Sequence, residues 1–176
     1  QFFALPDELQ KPLSLEEAIQ RLENARDRDD IARSVLHFCL GSFKRAAIFV
    51  FKSDLVIGWD GLGKNFHQGL VKRVMLPLSE ESLFKGVFKS QRVYRGSVPK
   101  NPSNERFLTM LGGARPNEIF VAPVILRGRV VNAIYGDNGD SSSIDGPLEG
   151  IVTLAQHVAP SFERIIMDRR SLFEGS

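Results

Sequence analysis

Two apolar runs dominate the hydrophobic pattern of the chain. They lie within Ile119 to Asn138, IFVAPVILRGRVVNAIYGDN, on either side of an Arg127-Gly128 corner, and the second ends in Tyr135-Gly136-Asp137. The spacing predicts a hairpin. Both faces of each run are largely apolar, so the sheet that holds them must be covered on both sides. Upstream, Arg45 to Phe51 reads as another buried strand, Lys52-Ser53-Asp54 as a turn and Leu55 to Trp59 as the returning strand. Weaker signals place an edge strand over Val71 to Leu76, ending at Pro77, and a short strand over Arg92 to Gly96. The glycine-rich stretch Asp60 to Gly69 is expected to be a loop.

Between the strands the period changes to that of helices. Ser14-Leu15-Glu16-Glu17 has the spacing of a capping box, followed by a narrow stripe of Leu15, Ile19 and Leu22 with Ala18 and Ala25. The charged run Arg26 to Asp30 offers capping carboxylates to a second helix with Ile31, Val35, Phe38 and Cys39, ending near Gly41. Ser79 is expected to cap a short helix that turns Leu83, Phe84, Val87 and Phe88 inward, and Gly112-Gly113 to stop another over Asn104 to Leu111. A closing helix begins at Pro147 and carries Leu148, Ile151, Leu154, Ala155, Val158, Phe162, Ile165 and Ile166 at helical spacing. Pro160 is expected to kink it. The resulting domain covers 14–172, between tails at 1–13 and 173–176. The chain begins at Gln1 rather than Met and is expected to be a module of a longer polypeptide.

Composition narrows the function. A chain of 176 residues, 43% hydrophobic and 25% charged, fits one α+β domain with a substantial core. With 23 basic and 21 acidic residues the net charge is +2, too small an excess to mark a nucleic-acid surface. The single cysteine, Cys39, excludes a disulfide within the chain and a cysteine-rich metal site, and it suits a reducing compartment. No apolar run has the length of a membrane span, so the expectation is a cytoplasmic protein without membrane or nucleic-acid partners.

The candidate chemistry is thin. Gly58 to Lys64 has the G-x-x-x-x-G-K spacing of a phosphate-binding loop, which makes a nucleotide hydrolase the alternative reading. Asn65 stands where that motif needs a hydroxyl for magnesium, and Phe66-His67-Gln68-Gly69 is a poor helix start. His37, His67 and His157 lie apart from one another and from Cys39, no G-x-S-x-G elbow occurs, and Asp137 to Asp145 lacks the spacing of a calcium loop. No catalytic residue, metal ligand or cofactor is expected.

The order helix, helix, hairpin, strand, helix, strand, helix, hairpin, helix resembles that of a GAF domain, the sensory module of bacterial and eukaryotic signalling proteins. The pieces that carry the resemblance are the helices through Phe43, the strand pair Ala46 to Trp59, the Pro77-Leu78-Ser79 to Gly86 helix start, the strand Val93 to Gly96, and the Phe120 to Asp137 hairpin with its closing helix. The resemblance implies an α/β architecture of the α+β type, a central antiparallel sheet with terminal helices on one face and loops and short helices on the other. It also implies a non-catalytic regulatory role in bacterial signalling, with a small molecule or a signalling protein as partner. Family members place ligands between the sheet and its covering loops. There Trp59, Phe84, Phe107 and Tyr135 would supply walls, and Asp60, Asn132 and Asp137 polar anchors. Homodimerisation through the terminal helices would engage Leu15, Ile19, Leu22, Phe162 and Ile166. The cyclic-nucleotide signature of the family is missing, Cys39 does not suit a bilin attachment site, and one thiol cannot run the thiol exchange of methionine-sulfoxide-reducing members.

Overall fold

The computed structural model describes residues 11–174, so most of the N-terminal tail and the last two residues lie outside it, as do the side chains of Leu172, Phe173 and Glu174. Two helices, α1 (Leu15–Glu23) and α2 (Arg28–Cys39), precede the hairpin of β1 (Arg45–Lys52) and β2 (Leu55–Gly63). A single turn, α3 (Gln68–Val71), β3 (Met75–Pro77), α4 (Leu83–Ser90), β4 (Tyr94–Gly96) and α5 (Pro102–Met110) follow. The hairpin of β5 (Ile119–Leu126) and β6 (Arg129–Asp137) leads into the long α6 (Glu149–Glu174). All strands join one sheet of order β3-β2-β1-β6-β5-β4, antiparallel at every pairing. The sequential hairpins thus meet at β1 and β6, which become the central strands.

Both hairpin corners have two residues at positive φ, Ser53 and Asp54 in one and Arg127 and Gly128 in the other, the geometry whose twist matches the flanking strands. The period of two then sorts side chains to two cores. Ala46, Ile48, Phe120, Ala122 and Ile134 meet α1, α2 and α6, while Ala47, Phe49, Val121, Ala133 and Tyr135 meet α3, α4 and α5. Burial on both faces explains why the strands read as continuous apolar runs.

The helix caps fall largely where the spacing puts them. Ser14 and Glu17 form the capping box, and Asp27 caps α2. The carbonyls at the end of α1 are met from α6: Arg164 donates to Leu22 and Ala25, and Ser161 Oγ donates to Leu22. These bonds fasten the first helix to the last.

Several boundaries differ from expectation. The cap of α4 is Ser82 rather than Ser79, with Asn104 Oδ1 accepting from the Leu83 amide as a second cap. Helix α5 starts at Pro102 and α6 starts at Glu149 rather than Pro147; as the spacing of Phe162, Ile165 and Ile166 requires, α6 includes Pro160, and it ends at Glu174. The Val71 to Leu76 segment splits into the end of α3 and the start of β3. The largest correction concerns Asp60 to Gly63, which belongs to β2 rather than to a loop. Its glycines serve close approach. A Cβ on Gly58 would stand 1.8 Å from the Val71 carbonyl oxygen, and one on Gly61 would stand 2.4 Å from a Val71 methyl. Glycine here lets α3 lie directly on the strand.

This packing sets a contrast between two glycines. Gly58→Ala should destabilise the protein by about 3 kcal/mol, since the neighbouring atom is backbone and cannot turn aside. Gly86→Ala, at a helical position with nothing near the added methyl, should stabilise it by about 0.5–1 kcal/mol. Urea unfolding of the two variants measures both signs.

Candidate functional site

The loop-facing side of the sheet centres on Tyr135 and Asp137, which lie two residues apart on β6 and therefore share a face. Arg45 opens β1 directly opposite Asp137. Its Nε donates to Asp137 Oδ1 at 2.6 Å and its Nη2 to Oδ2 at 3.0 Å, a bidentate pair in the interior. The Tyr135 hydroxyl donates to Oδ2 in a short bond, and the Gly139 amide donates to Oδ1 at 2.7 Å. Asp137 thus accepts four bonds, which saturates a carboxylate. Arg45 also lies 4.9 Å from the centre of the Phe66 ring and donates to the Leu111 carbonyl at 3.4 Å. Burial works against the Arg45 charge, but the Asp137 carboxylate outweighs it and holds the guanidinium protonated. Burial, with the Asp137 charge beside it, pushes the Tyr135 hydroxyl well above its ordinary range.

Beside this network the aromatic rings pack on one another. Phe84 stands 4.9 Å from Phe107 and 5.0 Å from Phe49, and Phe107 stands 5.2 Å from Tyr135, mostly edge to face. All four rings are buried. These rings fill the centre of the loop-side core between β1, β6 and the helices α4 and α5.

The other expected ligand residues lie on the opposite face. A bulge in β2 between the partners of Ile48 and Phe49 places both Trp59 and Asp60 toward the terminal helices. The Trp59 ring lies 6.0 Å from Phe162, and the Arg28 guanidinium carbon is 5.4 Å from its centre. Asp60 is buried, accepts the Gly61 amide at 2.7 Å, and faces Arg33 Nε at 3.5 Å. Burial raises its carboxyl above the ordinary range against the pull of Arg33. Asn132 is three residues from Tyr135, so its side chain takes the other face, where its amide donates to the Phe49 carbonyl at 3.2 Å. Phe84, Phe107, Tyr135 and Asp137 come together, whereas Trp59, Asp60 and Asn132 are separated from them by the sheet. The seven residues do not line one pocket.

The expected interface residues also divide. Leu22 and Phe162 are buried in the helix-side core and are not available to a partner. Leu15 and Ile19 are half-buried against that core, and Ile166 is 44% exposed. The Gly58 to Lys64 run does not form a phosphate cradle, because Gly58 to Gly63 is a strand paired with β1, the Gly58 amide donates to the Val74 carbonyl and the Gly61 amide to Asp60. Cys39 is fully buried and its thiol is pushed up to about 12, the opposite of a reactive thiolate. His37 is held by Arg21 Nη1 on Nδ1 at 3.1 Å and by the Lys11 carbonyl on Nε2 at 3.0 Å, a satisfied packing residue. Among the described residues no group of three or more histidine, cysteine, aspartate and glutamate side chains is placed to hold a metal ion. No helix among them is long and apolar enough to cross a membrane.

Sequence reasoning missed a pair of adjoining cavities at the hairpin end of the helix side, about 420 and 390 Å³ in volume. Arg28, Val50 and Arg169 line both, with Trp59 in the first and Lys52, Val131 and Asn132 in the second. Its cations come from three distant segments, and no spacing in the chain announces their convergence.

The chain adopts the GAF fold. It is similar to the GAF domain of a phosphoenolpyruvate-protein phosphotransferase from Coxiella burnetii, with a TM-score of 0.72 and 16% identity over 89% of this chain and 94% of that one. It is similar to residues 122 to 287 of a methyl-accepting chemotaxis protein, with a TM-score of 0.68 and 17% identity over 85% and 97%. A free methionine-R-sulfoxide reductase from Neisseria meningitidis, solved with its substrate, gives a TM-score of 0.63 and 14% identity over 94% and 96%. The fold therefore occurs in signalling proteins and in an enzyme. No family model matches the sequence, and no curated protein matches it.

The saturated carboxylate makes a direct stability prediction. Arg45→Met strands a charge in the interior and should cost about 3–5 kcal/mol, whereas Arg45→Met combined with Asp137→Leu should recover only part of the loss, because the Tyr135 hydroxyl and the Gly139 amide lose their acceptor. Denaturant midpoints for the single and double variants measure the coupling.

Proposed function

We propose that the chain is a non-catalytic sensory and regulatory module of a bacterial signalling protein, acting in the cytoplasm, that self-associates through its terminal helices. The observation that carries this reading is the shape of α6. Its buried positions, Ile151, Leu154, Ala155, Val158, Phe162 and Ile165, keep one stripe against the sheet, and the helix continues to Glu174. Immediately past the stripe, Ile166 and Met167 are 44% and 58% exposed. A helix that carries large apolar residues beyond its own core suits a second copy or a partner helix.

The resemblance to GAF domains of bacterial signalling proteins supports the same role. So does the lack of spare chemistry on the loop side, where Asp137 is saturated and the aromatic rings touch. Regulation would be a population shift: a small molecule or signalling protein that favours one packing of α6 against α1 and the sheet biases the output by its differential affinity.

Ile166→Glu with Met167→Glu places charge on exposed positions and should leave the fold intact by circular dichroism. Sedimentation should show a dimer for the natural sequence and a dissociation constant raised about a hundredfold or more in the variant, the cost of facing unpaired charge across an apolar contact. A natural chain that stays monomeric into the millimolar range, or a variant that associates equally well, contradicts the self-association.

A further inference from the structure

The adjoining cavities at the hairpin end of the helix side combine an apolar floor with a cationic rim, and the inner one has no acid in its lining. Val50, Val131, Phe162 and Ile165 form the floor, contributed by β1, β6 and α6. Arg28 from the first turn of α2, Lys52 from the end of β1 and Arg169 from α6 surround it. None of these three cations has a carboxylate within salt-bridge distance among the described residues. Asp27 and Asp29 line the outer cavity, Asp27 capping α2, and no acid lines the inner one. Arg28 is also held in place: its guanidinium carbon lies 5.4 Å from the Trp59 ring centre and 5.8 Å from that of Phe162. Stacking on the rings leaves its N–H edges free to meet an anion.

We infer that this groove binds a free anionic amphiphile of the long-chain carboxylate class, hydrocarbon along Val131 and Ile165 and headgroup among Arg28, Lys52 and Arg169. Three arguments select that occupant. Each cavity, at about 420 and 390 Å³, has the size of small-ligand sites. Positive charge without a carboxylate partner beside apolar surface matches a ligand carrying one anionic end and one apolar end. Asn132, buried at the floor with its amide committed to the Phe49 carbonyl, adds no second charge to favour a polar ligand throughout. The site is on the opposite face from the loop-side aromatic cluster, and it needs no self-association. An occupant wedged between α6 and the central strands would bear directly on the helix through which we propose that the module acts.

Trp59 is the only tryptophan of the chain and lines the outer cavity, so its emission reports occupancy. The full chain is titrated with dodecanoate below its micellar concentration, and separately with acetate, dodecyltrimethylammonium and vesicles of anionic phosphatidylglycerol. Dodecanoate should give a saturable, one-to-one change, confirmed by calorimetry, while acetate and the cationic amphiphile give none. Lys52→Met with Arg169→Met changes only exposed side chains; with an unaltered circular dichroism spectrum it should weaken dodecanoate binding about tenfold. Lys52→Glu alone should weaken it in the same direction. Absence of saturation, equal binding of the cationic amphiphile, an affinity indifferent to the charge changes, or binding confined to vesicles would each overturn the inference.

Discussion

A guanidinium and a carboxylate facing each other across the two central strands constrain the rest of the structure. Removing both Arg45 and Asp137 from water is expensive, and the cost is met only because the geometry is bidentate and every remaining lone pair of the carboxylate is used. That requirement fixes the register of β1 on β6, since a slip of one residue would turn the partners to opposite faces. It also fixes the loop after β6 through Gly139 and the end of α5 through Leu111. Once these are set, Phe49, Phe84, Phe107 and Tyr135 have one way to close the loop side.

The consequence is a division of labour between the faces. The loop side spends its polar groups on one another and its aromatic rings on packing, so its chemistry is directed inward. The helix side is tied together by Arg164 and Ser161 reaching the end of α1, yet it leaves Ile166 and Met167 exposed and three rim cations without a salt bridge among the described residues. Unused binding capacity therefore concentrates where the first and last helices lie, the elements whose rearrangement can be passed along a chain. An equilibrium between two packings of α6 needs only a few kcal/mol of differential affinity to be biased.

Much of this architecture was legible in the sequence. Hydrophobic runs on both faces announced a doubly covered sheet, turn residues located both hairpins, and the capping box located α1. The misses have specific causes. Gly61 and Gly63 looked like a loop because glycine signals both turns and close approach, and only the neighbours, Val71 against Gly61 and the Lys44-Arg45 backbone against Gly63, distinguish the two. The division of the expected pocket was half readable: Asn132 and Tyr135 differ by an odd number of residues and so must take opposite faces. The bulge that turns Trp59 and Asp60 together toward α2 and α6 carried no such signal. Leu22 and Phe162 looked available to a partner because helical periodicity gives a stripe without saying which neighbour covers it. The rim of Arg28, Lys52 and Arg169 was hidden for a simpler reason, because charges far apart in sequence converge only after folding.

Amide hydrogen exchange resolved by segment, at low and high protein concentration, tests most directly whether the loop side is a closed core and the terminal helices the working surface. The account predicts that α5, β1 and β6 exchange only through global unfolding at both concentrations, while α6 from Ile166 onward exchanges rapidly in dilute protein and slows as concentration rises. Rapid local exchange in α5 and around Tyr135, with α6 indifferent to concentration, would mean that the aromatic cluster opens on its own, and it would contradict the account.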